Sequence, residues 1–374
     1  MSAAREWEKS ERRTEATGIG RPFRLSVIVP VHNGEEVLGR CLAALSRSMY
    51  PNFEVIVVDD CSTDSTREIA RQYGRNCIQT AKTMGPAAAR NLGSKHATGE
   101  ILVFVDADVV ITASGLQLIA QAFENDLKLS ALFGSYDDEP ACRTFISQYK
   151  NLLHHYVHQS SNQTATTFWA GYGAIRKDIF ECVGGFDSDT YAHPSIEDIA
   201  LGLELVRRGY SVRLEKGLTA KHLKCWTISS LVGADIFHRA VPWTRLILRS
   251  GQAPRDLNLT YGSRVSAVLG LVLCVSCLLL PLAIWNDSRG IAASLAIAIA
   301  ALAAALVYLN RDLYRFFFRK RGPWFTMRAV FVHWAYYVYS SATFAVVAAG
   351  YAFGLGAPRR GASAIDQGRS RAVK

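Results

Sequence analysis

Asp106 and Asp108 stand one residue apart, directly after the apolar run Ile101-Leu102-Val103-Phe104-Val105. A D-x-D tripeptide alone carries little information. At the end of a buried strand, however, both carboxylates point into one crevice. A hard divalent cation is held there by one or two carboxylates plus substrate phosphate oxygens, and it offsets charge on a departing diphosphate. The other reading of the pair is a cap on the next helix. Asp59-Asp60 closes a second predicted buried strand, Glu54 to Val58. One of these carboxylates can accept a hydrogen bond from a nucleobase N–H. Ser62 and Asp64 follow, and Asp64 reads as a helix cap. Glu197-Asp198 opens a helical pattern. A carboxylate there can take the proton of an attacking hydroxyl, a role contributing about 10²–10⁴-fold. The pair also simply suits a helix N-terminus.

These acids need elements to position them. Leu25 to Val29, closed by Pro30, reads as a buried parallel strand. A helix follows, with Asn33 as N-cap and Val37, Leu38, Leu42 and Leu45 at helical spacing. Further helices are predicted over Ser62–Tyr73 and Glu197–Arg208. The alternation predicts an α/β fold with a mostly parallel, Rossmann-like sheet and right-handed crossovers. Such sheets bind ligands beyond the carboxyl ends of their strands. Pro30, Asp59, Asp60, Asp106 and Asp108 all fall at such ends.

The 374 residues carry a net charge of +10. The basic residues form no compact patch interleaved with aromatics, which points to lipid and nucleotide phosphates rather than nucleic acid. Of eight cysteines, Cys274 and Cys277 lie in an apolar run and read as small hydrophobes. No disulfide or zinc framework is readable, so reduced thiols in a cytosol are expected. Residues 1–22 are polar, lack the apolar core of a signal peptide, and are predicted to be a disordered lead-in.

Charge nearly vanishes in two later stretches. Residues 265–284 and 291–309 are each long enough to cross a bilayer and flank a polar turn, 285–290. They predict a transmembrane hairpin; a buried core pair is the other reading. A third run, 329–353, holds His333 and several tyrosines, and is also predicted to span. The linker 310–328 carries Arg311, Arg315, Arg319, Lys320, Arg321 and Arg328, which places it in the cytosol. The N-terminal domain is therefore expected on the cytoplasmic face of a plasma or inner membrane. The basic tail, 355–374, conflicts with three full spans. Residues 226–262 mix tryptophans with Arg239, Arg245 and Arg249. They predict interfacial amphipathic helices, broken at Pro242, or a helix packed on the domain.

From about residue 24 to 225 the chain resembles the family 2 glycosyltransferases, which have the GT-A fold. The matching pieces are Val27-Ile28-Val29-Pro30-Val31-His32-Asn33, Val58-Asp59-Asp60-Cys61-Ser62-Thr63-Asp64 and Ala89-Arg90-Asn91. Phe104-Val105-Asp106-Ala107-Asp108, Gly184-Gly185-Phe186-Asp187 and Ile196-Glu197-Asp198 follow in family order. The resemblance implies a catalytic domain over 23–225, a nucleotide-sugar donor, a Mg²⁺ or Mn²⁺ ion, and inversion at the anomeric carbon. It implies that Asp60, backed by Asp59, holds the base, with Pro30 beside it and His32 stacked on it. Asp106 and Asp108 would hold the metal–diphosphate, and Asp198, beside Glu197, would be the general base. Arg90 would contact the donor phosphates or hold the loop at Asn91. His222 would reach the metal or serve as packing.

Trp169, Gly171 and Trp226 fall where relatives line the acceptor side. His154 and His158 share a helix face, but no third metal ligand is evident. The Q-x-x-R-W motif of processive members is reduced here to His222-Leu223-Lys224-Cys225-Trp226. That departure favours transfer of one sugar to a lipid-linked or other membrane-associated acceptor. A processive polysaccharide synthase and a catalytically silent nucleotide-sugar-binding protein are the alternatives. A dehydrogenase would need G-x-G-x-x-G after the first strand, which is absent.

Overall fold

The computed structural model describes residues 22–251 and 260–354. The expected lead-in before residue 22, the basic tail, and residues 252–259 of the expected interfacial segment lie outside the described residues. The chain divides into two compact units, Met1–Thr227 and Ile228–Lys374.

The first unit is built on β1 (Leu25–Val31), β2 (Phe53–Asp59), β3 (Asn76–Gln79), β4 (Ile101–Val105), β5 (Val109–Ile111), β6 (Leu129–Tyr136), β7 (Tyr172–Arg176) and β8 (Ser211–His222). Its helices are α1 (Leu38–Ser46), α2 (Thr66–Gln72), α3 (Pro86–His96), α4 (Gly115–Asn125), α5 (Phe145–Ser160), α6 (Lys177–Val183) and α7 (Glu197–Arg207). One mixed sheet has the order β3-β2-β1-β4-β7-β6-β8-β5. Strands β1 to β4 run parallel. Strand β7 runs antiparallel between β4 and β6, so β6 again points the same way as β4. The carboxyl ends of β1, β2, β4 and β6 therefore lie along one edge.

Strands β1 and β4 are buried along their whole length, because helices cover both faces of the sheet. That is why they read as continuous apolar runs rather than alternations. On one face Leu25, Val27 and Val29 pack with Leu38, Leu42 and Leu45 of α1 and with Ile119 and Phe123 of α4. On the other, Ile28, Phe104 and Phe133 pack with Ala87 and Ala89 of α3 and Leu201 and Leu205 of α7.

Several local expectations are corrected. Pro30 does not close β1 but lies within it, paired with Val58. It is tolerated because the ladder to β4 ends at Ile28, so a missing N–H costs nothing on that side. Asn33 does not cap α1, which begins only at Leu38. It has φ 50°, and its side-chain oxygen accepts from the Thr63 N–H at 2.9 Å, lashing the loop after β1 to the loop after β2. Helix α2 starts at Thr66 rather than Ser62; Asp64 accepts from the Thr66 N–H just before it. Cys142 and Cys225 form a disulfide with Cα atoms 5.4 Å apart across 83 residues. The expectation of reduced thiols fails for this pair, since a pairing so distant in sequence leaves no local spacing signal.

The second unit comprises α8 (Ile228–Gly233), a π-helical segment (Ala234–Ala240), α9 (Val241–Ser250), α10 (Tyr261–Trp285), α11 (Arg289–Leu309) and α12 (Arg311–Ala352). Pro242 sits in the first turn of α9, where its missing N–H is harmless. Helices α10, α11 and α12 are each long and apolar enough to cross a membrane. The basic linker is helical, broken only at Gly322 (φ 80°) ahead of Pro323. The polar residues that weaken the third apolar run find partners inside the unit. Tyr337 donates to Asn310 at 2.9 Å, Asn310 in turn to Ser266 at 3.1 Å, and Tyr314 bonds His333 at 3.1 Å. Side-chain bonds of this kind serve as contacts between helices in lipid.

Helix α7 is seated by Gly202, where a Cβ would fall 2.2 Å from the Phe168 amide nitrogen. Gly202→Ala is expected to destabilise the fold by about 1–3 kcal/mol through overpacking against backbone. The readout is the melting temperature of the detergent-extracted chain; an unchanged value would show that α7 is not seated this closely.

Candidate active site

The Asp106–Asp108 segment is a tight turn between β4 and β5. The Asp106 N–H donates to Gly171 O at 3.1 Å, and the Val109 N–H donates back to Asp106 O at 3.0 Å. Neither aspartate caps a helix. Strand β5 pairs antiparallel with the end of β8, setting Val109 against His222, and the Leu223 N–H donates to Asp108 O at 2.9 Å. This pairing brings His222 Nε2 to 3.4 Å from Asp108 Oδ2. Burial by itself would raise the Asp108 carboxyl. The His222 hydrogen bond and the charges of His222 and Lys224 outweigh it and hold the group below the usual carboxylate range.

On α3, Arg90 donates from Nη2 to Asp106 Oδ1 at 2.7 Å and from Nη1 to Glu197 Oε1 at 2.8 Å. The loop at Asn91 does not depend on it. Asn91 itself clamps the Gly-Gly-Phe-Asp segment, accepting from the Phe186 N–H at 2.9 Å and donating to Phe186 O at 2.8 Å. Next to Glu197, Asp198 accepts from the Ala170 N–H at 3.1 Å and from the Ile199 N–H at 2.8 Å. Its carboxyl is pushed up to about 7, first by burial and then by the charge of Glu197. Glu197 is spent on Arg90 and on the Ser195 N–H at 3.0 Å.

Beside this group stands a cluster of rings. Tyr136, at the end of β6, stacks on His222 with centroids 4.1 Å apart and planes 12° apart. Trp169 meets Tyr136 edge-on at 4.8 Å and His154 at 4.8 Å. Gly171 is required where it is because the Trp169 indole folds back over it; a Cβ would come 2.6 Å from that ring. His154 and His158 stack at 4.0 Å. Burial brings the His158 imidazole down to about 4, and its Nδ1 bonds Gly134 O at 3.0 Å, so it is a neutral packing group. Trp226 is buried, with its ring covered by the Lys224 ammonium at 4.3 Å.

At the ends of β1 and β2, His32 is exposed and its Nδ1 bonds Asp60 O at 2.7 Å, which holds the imidazole as a fixed platform. Asp59 and Asp60 are almost fully buried. Asp59 Oδ1 accepts from the Ser62 N–H at 3.0 Å, and Arg67 Nε lies 3.3 Å from Oδ2. Asp60 Oδ1 accepts from the Thr80 hydroxyl at 3.0 Å and the Met84 N–H at 2.8 Å. Its Oδ2 accepts from the Gly85 N–H at 2.8 Å. Both acids thus organise the wall of the crevice, and any base contact by Asp60 shares oxygens already in use.

Among the described residues, no three His, Cys, Asp or Glu side chains form a closed metal-holding group. The donors that are present suit an open site. Asp106 and Asp108 keep side-chain exposures of 33% and 27%, with His222 adjacent, and a hard cation in such a site is completed by phosphate oxygens. Sequence reasoning did not find Tyr136, Thr80 or the bond from Arg90 to Glu197. Tyr136 was the findable one, because it ends an apolar strand on the same edge as the aspartates.

The mixed sheet, with acids and rings along its carboxyl edge, is an α/β domain of the GT-A type. Residues 26–184 match the family described as Glycosyl transferase family 2. Over 216 residues the chain is 27% identical to "Probable glycosyltransferase YdaM" of Bacillus subtilis (strain 168), covering 51% of this chain and 48% of that protein. Over 119 residues it is 29% identical to "UDP-Glc:alpha-D-GlcNAc-diphosphoundecaprenol beta-1,3-glucosyltransferase WfgD" of Escherichia coli, covering 31% and 46%. The chain thus spans under half the length of these curated relatives. Among solved structures, the mannosyltransferase PcManGT from Pyrobaculum calidifontis, determined with GDP-Man and Mn²⁺, superposes with a TM-score of 0.54. That likeness has 20% identity, covers 89% of this chain and 88% of that one, and establishes the fold.

Asp60→Ala would leave the Met84 and Gly85 amides without their acceptor, each worth about 1–3 kcal/mol when buried. Trypsin cleavage at Lys82 is expected to accelerate about tenfold or more. Equal cleavage rates would show that Asp60 does not hold this loop.

Proposed function

We propose that the chain is an inverting, metal-dependent glycosyltransferase that moves one sugar from a nucleotide-sugar donor to a lipid-linked acceptor at a membrane. The observation that carries this reading is the assembly, around Arg90, of the aspartate that ends β4 and the two acids that open α7. The donor end is Asp106, Asp108 and His222, against which the donor diphosphate lies. Asp106, Asp108 and His222 would hold a divalent cation, Mg²⁺ or Mn²⁺, which would supply charge to offset the leaving diphosphate. His32 offers a flat face to the base, with Pro30, Asp59 and Asp60 forming the wall behind it.

The acceptor end is Asp198, with Trp169 beside Ala170, whose amide orients the carboxylate. A carboxylate oxygen of Asp198 takes the proton of the acceptor hydroxyl. The hydroxyl oxygen bonds to C1 of the sugar as the bond from C1 to the diphosphate breaks, and single displacement inverts that carbon. A general base contributes about 10²–10⁴-fold. The membrane reading is supported by three helices long and apolar enough to cross a bilayer and by a relative named for a diphosphoundecaprenol acceptor. The arginines of residues 310–328 favour a cytosolic position for that segment, and with it a domain on the cytoplasmic face, where nucleotide sugars are made.

The reading is tested by screening nucleotide sugars with Mg²⁺ or Mn²⁺ and a polyprenyl-diphosphate-sugar acceptor, using detergent-extracted protein and reading released nucleoside diphosphate. Asp198→Asn is expected to lower turnover about 10²–10⁴-fold while still binding donor. A wild type as silent as the variant, with donor bound to both, would instead identify a nucleotide-sugar-binding protein without catalysis.

The Asp198 carboxyl, raised to about 7, works only when deprotonated, so turnover is expected to rise with pH through that value and to fall below it. Glu197→Gln removes the neighbouring negative charge that helps raise it. The rising limb of kcat against pH should therefore move to lower pH. A limb that stayed in place, or moved up, would show that Asp198 is not the titrating base.

A further inference from the structure

Arg90 touches both halves of the site. Its side chain is only 6% exposed, and its two terminal nitrogens are committed to different elements, Nη2 to Asp106 and Nη1 to Glu197. Its Nε is buried with no hydrogen-bond partner. The guanidinium lies over the Phe186 ring, 5.5 Å from its centroid, and Phe186 is itself held by both side-chain atoms of Asn91. The group is therefore confined between two carboxylates and a fixed ring.

We infer that Arg90 is a positioning residue that couples the two ends of the site, holding Asp106 at the donor end in register with Glu197 and thus with its neighbour Asp198. The inference rests on reading Asp106 as the donor end and Asp198 as the base. The planar fork meets the two carboxylates with two separate nitrogens, whereas a lysine ammonium presents all its N–H groups from one nitrogen and fixes neither the same spacing nor the same direction. Removing either acid leaves Arg90 paired with the other, whereas removing Arg90 leaves two carboxylates without their shared cation, which is strongly unfavourable. The three side chains accordingly shift as one unit. Coupling of this kind is reciprocal: a donor that fixes Asp106 also fixes the first turn of α7, so the base is set in place when the donor is bound.

The test measures binding of UDP and of GDP by calorimetry, with and without Mn²⁺, to the detergent-extracted full chain. Melting temperatures confirm that each variant is folded. Glu197→Ala changes a residue of the base helix, yet it is expected to weaken the Mn²⁺-dependent part of nucleotide binding about tenfold, within the usual ~5–150-fold range of coupling between sites. Glu197→Gln keeps an oxygen that accepts from Nη1 and should lose less than Glu197→Ala. Arg90→Lys should match Glu197→Ala, and the double variant should bind no more weakly than Arg90→Lys alone, because both changes break one strut.

Wild-type nucleotide affinity in a folded Glu197→Ala protein overturns the coupling, whether or not the melting temperature falls. Tighter binding in that variant also overturns it, and identifies Arg90 as a phosphate ligand once freed. Losses that multiply in the double variant overturn it too. A wild type that binds neither nucleotide with Mn²⁺ overturns the reading of the donor site itself, and this inference with it.

Discussion

Asp59, Asp60, Asp106, Glu197 and Asp198 crowd the carboxyl edge of one buried sheet. Burying a carboxylate is costly unless donors replace the water it loses, and this constraint accounts for much of the local architecture. Asp60 draws in the hydroxyl of Thr80 and two amides of the 80–85 loop. Asp59 is met by Arg67 and the Ser62 amide. Asp106 and Glu197 share Arg90. Asp198 has backbone amides but no cation of its own, and it is the acid raised to about 7. The acid least compensated is the one suited to exchange a proton near neutral pH.

Buried polar groups in the second unit meet the same constraint differently. Polar side chains buried among its long apolar helices satisfy one another. Ser266, Asn310 and Tyr337 form one such chain and Tyr314 with His333 another. His333 and Tyr337 make the third apolar run look ambiguous by composition, and they are also what ties it to its neighbours. The break at Gly322 with Pro323 falls within the basic, helical linker, ahead of the apolar run.

Much of the fold was legible because buried parallel strands leave a contiguous mark. Consecutive apolar residues ending in Asp106-Ala107-Asp108, or in Asp59-Asp60, report a strand and its carboxyl end together. Helix starts were less legible. Asn33, Ser62 and Asp64 are all good capping residues, yet their side chains bond between the loops after β1 and β2. A cap and a loop-to-loop bond use the same chemistry, and sequence does not distinguish them.

The sequence by itself determined which residue types lie at the strand ends and which segments are apolar enough for a membrane, because burial and periodicity are written in contiguous residues. The tertiary structure decided the partners. The antiparallel return of β8 beside β5 sets His222 against Asp108, 114 residues earlier. The crossing of α3 and α7 gives Arg90 two acids, one of them 107 residues away. The same folding joins Cys142 to Cys225. Such pairings depend on register and on which helix covers which face, and these are set by the packing of the whole domain.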